Sequence, residues 1–370
     1  MATPTESTPS TNANELRSEV TITGLPVRGT LPAGLSGRLV AIGPDSEPGR
    51  AGVHVVHLSV GRVLSSRSRR VSTDGVAVSN IIAFGGSILA LGDGSAAYEL
   101  TSDLTTLRRV DLAGRSRGMS AHPKRDPHTG DLHVLAVDAT SAQAHVVVSS
   151  GALTRTSRPI PGAPCRLTDL AISSDHVVFA ADGFVGVMAR DAEARITWIT
   201  TGLGAPHLVH ARDAGDTIVV HALTPSLERW TLHAATATMR REVLDAAPRR
   251  FARTSDRQVD GLLQFLWTTG DTTLDKYDLV TTSYVRHFFG SRDAPGDLVF
   301  VDDPSRPSDA DGGWLIGFVH HSSADETDLV VLDAADVNRP AIATVRIPRH
   351  VARGHHSTWI PSAGQRSSPE

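Results

Sequence analysis

The sequence predicts an all-β protein and, within that class, a β-propeller. Three observations carry this expectation. Short runs rich in Val, Ile, Leu and Thr recur along the whole chain, and Gly (32) and Pro (21) punctuate them throughout instead of gathering in one linker. A 3.6-residue apolar period is not sustained over twelve residues anywhere, the nearest case being Arg241 to Ala247, so helix content should be low. Candidate hairpins run from Val53 to Thr73 around Gly61, Leu132 to Ser149, His176 to Met188 around Asp182-Gly183, and Asp216 to Met239 around Thr224-Pro225. Two more span Leu262 to Phe289 and Trp314 to Asp333. Hairpins that recur without a break suit small antiparallel blades set around an axis; with no strict signature in each blade, a two-sheet sandwich stands as the alternative.

At 370 residues one large β domain, residues 19–360, is favoured over two. The Ser-, Thr- and Pro-rich ends, residues 1–18 and 361–370, read as tails. Hydrophobic residues at 40% and charged residues at 21% allow a sizeable core. A net charge of -4 and a pI near 6.5 argue against a polyanion-binding face, so nucleic acid is not an expected partner. Cys165 is the single cysteine, which excludes an intramolecular disulfide and fits a reducing cytoplasm. The first twenty residues lack a basic segment followed by an apolar run, and no run of eighteen apolar residues follows. Membrane contact is therefore expected to be peripheral at most.

Seventeen histidines pose the question of which could ligate a metal. His128, His133, His145, His176, His221, His233, His287, His320, His321 and His350 have no second feature around them and read as structural or solvated. No HExxH pair occurs and Cys165 stands alone, so zincin and zinc-finger spacings are excluded. A metal site would have to be assembled from distant positions, which a propeller allows because its inner strands converge on one axis.

Ser120-Ala121-His122-Pro123-Lys124, followed by Asp126-Pro127 and Thr129-Gly130, is similar to the segment carrying the first iron ligand of the carotenoid cleavage oxygenase family, and three further segments resemble that family. Gly354-His355-His356-Ser357-Thr358-Trp359 resembles the segment of the last, with His356 in the ligand place and His355 read as a packing residue. His207 to Asp216 resembles the third, with His207 preferred to His210. Arg166 to Ser173 matches the second in all but the histidine, where Thr168 stands. Further likeness runs from Val27 to Trp359, including Arg28 to Pro32, Gly43-Pro44, Leu227 to Trp230, Lys276 to Leu279, Asp311 to Trp314 and Val330 to Ala334.

The resemblance implies a seven-bladed propeller with Fe(2+) on its axis, held by His122, His207 and His356, with Thr168 at the fourth ligand position. It also implies three carboxylates hydrogen-bonded to the ligands; Asp93 and Asp297 occupy two of those places, and Arg250, which cannot accept a hydrogen bond, occupies the third. Brief connections such as Thr268 to Asp271 point to a reduced loop cap, and the apolar run Leu262, Leu263, Phe265, Leu266 and Trp267 reads as core. The implied activity is a dioxygenase that cleaves a conjugated C=C bond of a carotenoid, apocarotenoid or stilbene-like molecule with dioxygen. The alternative is a non-catalytic propeller that binds a lipid or polyene. Replacement of the absent ligand by His210 is a further reading that the sequence leaves open.

Overall fold

A computed structural model describes residues 19–45, 50–73, 76–114, 118–137, 142–151, 153–191, 195–255, 263–322, 326–351 and 356–362. Residues 1–18, 363–370, Leu262 and His355 lie outside them. Among the described residues there is no helix, and the strands form seven antiparallel sheets. All six candidate hairpins are paired strands. Arg241 to Ala247 belongs mostly to the strand Thr238–Asp245, where Trp230↔Arg241 pairing and the ion pair of Arg241 with Glu228 hold the backbone extended.

The sheets are the blades of a propeller, numbered in chain order. Blade one contains Gly37–Pro44, Arg50–Ser59 and Arg62–Ser72, with Val20–Ile22 on its outer edge. Blade two runs from Asn80–Phe84 to Thr106–Val110, blade three from Gly118–Met119 to Arg155–Pro159, and blade four from Leu167–Ile172 to Ile196–Thr200. Blades five and six run from His207–Ala214 to Thr238–Asp245 and from Phe251–Arg253 to Ser283–Phe288. Blade seven begins at Asp293–Pro295 and passes through Val299–Asp302, Gly313–His321 and Thr327–Asp333 to Ala343–Ile347.

Both ends of the chain close the ring. Val27–Gly29 pairs with Ala343–Ile347 as the outermost strand of blade seven, and Ser357–Pro361 pairs with Gly37–Pro44 as the innermost strand of blade one. Seven apolar clusters then fill the seven spaces between neighbouring blades, such as Leu170 and Phe179 of blade four against Leu135 of blade three, or Trp267 of blade six against Leu315 and Leu332 of blade seven. Middle strands are consequently covered on both faces and read as unbroken apolar runs, as in His176–Ala181, whereas the outermost strand Ser283–Phe288 alternates little and is largely exposed. Leu263, Leu266 and Trp267 are core residues, as their sequence context predicts.

Gly37 sits where the closing strand crosses. A Cβ there would lie 2.5 Å from the Ile360 carbonyl oxygen and 2.6 Å from the Trp359 ring. Gly37→Ala should therefore cost about 1–3 kcal/mol in urea unfolding, because strand and ring must both move, while Gly204→Ala, which meets nothing within 4 Å, should change little.

Blade five is locked by Glu228, whose carboxylate is fully buried. It accepts from Thr224 Oγ1 (2.5 Å), Ser226 Oγ (2.9 Å), Trp230 Nε1 (2.8 Å) and Arg241 Nε (2.6 Å). Burial alone would raise its pKa, but the Arg241 guanidinium and these donors outweigh it and bring the value down to about 2. A depressed carboxylate stabilises the fold above its unfolded pKa of about 4.3 and loses that contribution as pH falls through its folded value. Glu228→Gln should lose about 2–3 kcal/mol at pH 7. The gap to the parent protein should narrow between about pH 4.3 and 2, read by urea titration across a pH series.

Candidate metal centre

His122, His207 and His356 come together at one end of the innermost strands. His207 opens the first strand of blade five, His356 immediately precedes the closing strand Ser357–Pro361, and His122 lies between Met119 and Lys124 in blade three. Their ring centroids are 5.3 Å (His122 to His207), 5.1 Å (His122 to His356) and 6.1 Å (His207 to His356) apart. Phe251 closes against His356 edge-on at 5.4 Å.

The loop that carries His122 is pinned by three other blades. Asn80 Nδ2 donates to the Ala121 carbonyl (2.7 Å), the Ala121 amide donates to Asp93 (2.9 Å), and Lys124 Nζ donates to the Leu208 carbonyl (2.8 Å). Ser120 Oγ accepts from the His122 amide and donates to the Thr168 carbonyl, both at 3.2 Å. Asp93 thus holds the backbone beside a histidine and not an imidazole ring.

Two of the rings have their own carboxylate. His356 Nδ1 lies 3.2 Å from Asp297, which also accepts from the Ser357 amide (3.0 Å) and from Arg253 Nε (2.8 Å) in a two-pronged pair. His207 Nδ1 lies 2.7 Å from Asp169. Asp169 also accepts from the amides of Leu170 and Leu208, both at 2.8 Å, with Lys124 Nζ 3.7 Å away. Arg250, in the place implied for the third carboxylate, pairs at the surface with Asp271 at 2.7 Å. Asp169 and Arg253 were not singled out in the sequence. Asp169 stands next to Thr168 in the segment already noted, but its direction depends on a β-bulge.

That bulge, between Leu167 and Asp169, leaves Thr168 without a cross-strand partner and turns Asp169 toward blade five. Thr168 Oγ1 donates to the Ala180 carbonyl at 3.3 Å, and its side chain lines a cavity of about 270 Å³ between blades three and four with Asp93, Ser120, Leu135 and Gln143. The short side chain leaves space, and among the described residues no imidazole lines it. His210 is not drawn in: it pairs across the strands with His221, their rings 6.1 Å apart, and both its nitrogens are buried without a hydrogen-bond partner.

Burial brings the pKa of His122 down to about 3, against the pull of Asp169. Burial also lowers His356, with Asp297 pulling the other way. Asp169 and Asp297 lie well below the usual carboxylate range: burial opposes this, and Lys124 with His207 and Arg253 with His356 overcome it. The centre is accordingly made of neutral imidazole at His122 and His356 beside ionised carboxylates at neutral pH. A ring nitrogen sits about 2 Å from a divalent metal, so rings sharing one ion have centroids about 4.5–6 Å apart. The separations of 5.1 and 5.3 Å fall within that range and the 6.1 Å between His207 and His356 lies just beyond it, while the donors are of the kind that suits a divalent ion such as iron. Among the described residues, no group of three or more His, Cys, Asp or Glu side chains is placed as it stands to hold a metal ion.

A family model described as retinal pigment epithelial membrane protein matches residues 59–219 and 199–361. The chain belongs to this family, that of the carotenoid cleavage oxygenases. It is 26% identical to the carotenoid cleavage oxygenase of Mycobacterium tuberculosis, the alignment covering 93% of this chain and 95% of the relative. It is 23% identical to the isoeugenol monooxygenase of Pseudomonas nitroreducens, over 77% of this chain and 75% of that one. Its fold matches that of a cobalt-substituted apocarotenoid oxygenase from Synechocystis with a TM-score of 0.83 at 19% identity, covering 94% and 97% of the two chains. The M. tuberculosis alignment spans 485 positions against the 370 residues here, so this family member lacks many residues that its relative carries as insertions.

Asp169 is buried with four partners, whereas Asp271 is an exposed partner of Arg250. Removing one member of a buried charged network leaves the others unpaired, at a cost of about 3–5 kcal/mol. Asp169→Ala should show that loss in urea unfolding, and Asp271→Ala a change of under about 1 kcal/mol.

Proposed function

We propose that this chain is an iron(II)-dependent oxygenase that cleaves a C=C bond of a carotenoid, apocarotenoid or stilbene-like molecule into two carbonyl products. The observation that carries the proposal is that His207 and His356 each have a buried carboxylate at Nδ1, although Arg250 stands in one of the implied carboxylate places. A carboxylate so placed fixes the tautomer, with the proton on Nδ1 and the lone pair on Nε2, which is the form a metal ligand needs. A cavity that binds a polyene without reaction has no need of buried carboxylates dedicated to imidazoles. The proposal is supported by the relatives, whose names include carotenoid cleavage oxygenase and isoeugenol monooxygenase.

His122, His207 and His356 would hold the metal, which when bound supplies the activation of dioxygen beside an alkene. The protein's own residues do the positioning. Asp169 and Asp297 orient two rings, and the backbone bonds from Asp93, Asn80 and Ser120 hold the third. Burial keeps His122 neutral, so protons do not compete for its ring nitrogens at neutral pH. Neither Thr168 nor His210 is assigned a ligand role.

Purification under anaerobic, iron-replete conditions should yield about one iron per chain by elemental analysis, with His122→Ala and His356→Ala each lowering affinity by at least about 10–100-fold. Thr168→His, which adds an imidazole beside a cavity able to take it, should raise iron retention during dialysis against a chelator. A parent protein that retains no iron would sink the oxygenase reading and leave the binding propeller in its place.

A further inference from the structure

A cavity of about 1160 Å³ lies among the inner strands; His57 lines it, and His122, His207 and His356 do not. Its inner end is formed by Arg253 and Ser357, joined by a 2.9 Å bond from Arg253 Nη2 to the Ser357 carbonyl. From there it follows the closing strand past Trp359 to Ser362, the end away from His356. Its volume is somewhat above the range of about 300–1,000 Å³ usual for small-molecule sites.

The lining has two characters. Phe84, Phe300, Trp359, Val299 and Val301 offer an apolar wall drawn from blades one, two and seven. Arg38 of blade one and Arg125 of blade three line it as well, each reaching a carbonyl of blade two between them. Arg38 donates to the Ser102 carbonyl at 3.1 Å; Arg125 donates to the Ala83 carbonyl at 3.3 Å and lies 6.0 Å from the Phe84 ring centroid. Among the described residues neither arginine has a carboxylate partner, in a molecule where Arg70, Arg241, Arg249, Arg286 and Arg346 all do. Arg253 is committed to Asp297, and among the described residues Asp302 is the single carboxylate on the wall. The Gly85-Gly86 turn of blade two, which also lines the cavity, is exposed and puts no side chain over it.

We infer that this chamber is a second binding site, for an amphipathic carboxylic acid whose apolar chain lies along Trp359 and Phe300 and whose carboxylate is held by Arg38 and Arg125. The inference stands on the cavity alone and holds whether or not the histidines bind iron.

The test uses iron-free full-length protein and the fluorescent polyene fatty acid cis-parinaric acid, with its methyl ester for comparison. One equivalent of the acid should bind, more tightly than the ester. Each of Arg38→Ala and Arg125→Ala should weaken the acid about ten-fold, the loss of one charge-assisted contact, and the double variant should weaken it further, with the ester unaffected by any of them. Acid binding should also fall as salt is raised. Both side chains lie at the surface of the cavity and not in the core, so matching melting temperatures will show that the variants fold. Acid and ester binding alike, or acid binding unmoved by both substitutions, overturns the inference. Since no iron is present, neither result bears on the oxygenase reading, which the metal analysis decides.

Discussion

The buried carboxylate of Asp297 is the point at which ring closure and the candidate metal centre become one problem. It lies in blade seven, receives Arg253 from blade six, and receives the His356 ring and the Ser357 amide from the segment that completes blade one. A carboxylate taken out of water is tolerated only when its charge is met and its lone pairs are used, and here one guanidinium, one ring and one amide do both. The last strand of the ring is therefore anchored at the same atom pair that orients a candidate ligand. Any shift of the closing strand moves His356 with it, so the rigidity of the propeller's seam sets the position of the ring.

Asp169 does the same for the other side of the site. Its carboxylate ties blade four to blade five through the Leu208 amide and, with Lys124 nearby, to blade three, and it holds His207 in the process. Arg250, in an implied carboxylate place, pairs at the surface, while His207 has Asp169 at its Nδ1, which a bulge aims toward blade five. The His207 ring is thus oriented by a buried acid, and Arg250 pairs with Asp271 away from the three histidines.

The fold was legible in the sequence because its main signals are local. Gly- and Asp-containing turns separate short apolar runs, and central strands such as Leu132–Val137 and His176–Ala181 are apolar on both faces, as blades stacked on both sides require. His122, His207 and His356 were legible through the motifs around them. Asp169 and Arg253 were not, since their directions follow from a bulge and from the packing of blade six on the closing segment, neither of which has a residue signature. Arg241 to Ala247 illustrates the converse: its pattern comes nearest to a helical period, but pairing with Leu227–His233 and the charge of Glu228 decide for a strand.

The brevity of the chain is explained by where stability resides. Seven apolar clusters, one between each pair of neighbouring blades, are intact, and the carboxylates that fasten blades three, four and five and close the ring lie inside the blades or directly at their ends. Insertions carried by the mycobacterial relative can be absent without removing any of these, because connecting segments contribute little buried surface and their loss costs only the difference in loop-closure entropy. What such segments do supply in a propeller is cover over its ends. With the interblade contacts preserved and the connections shortened, the differences between this chain and its relatives should be concentrated in access to the axis, from the side of the histidines and from the arginine-rimmed end alike, and not in the stability of the ring that holds them.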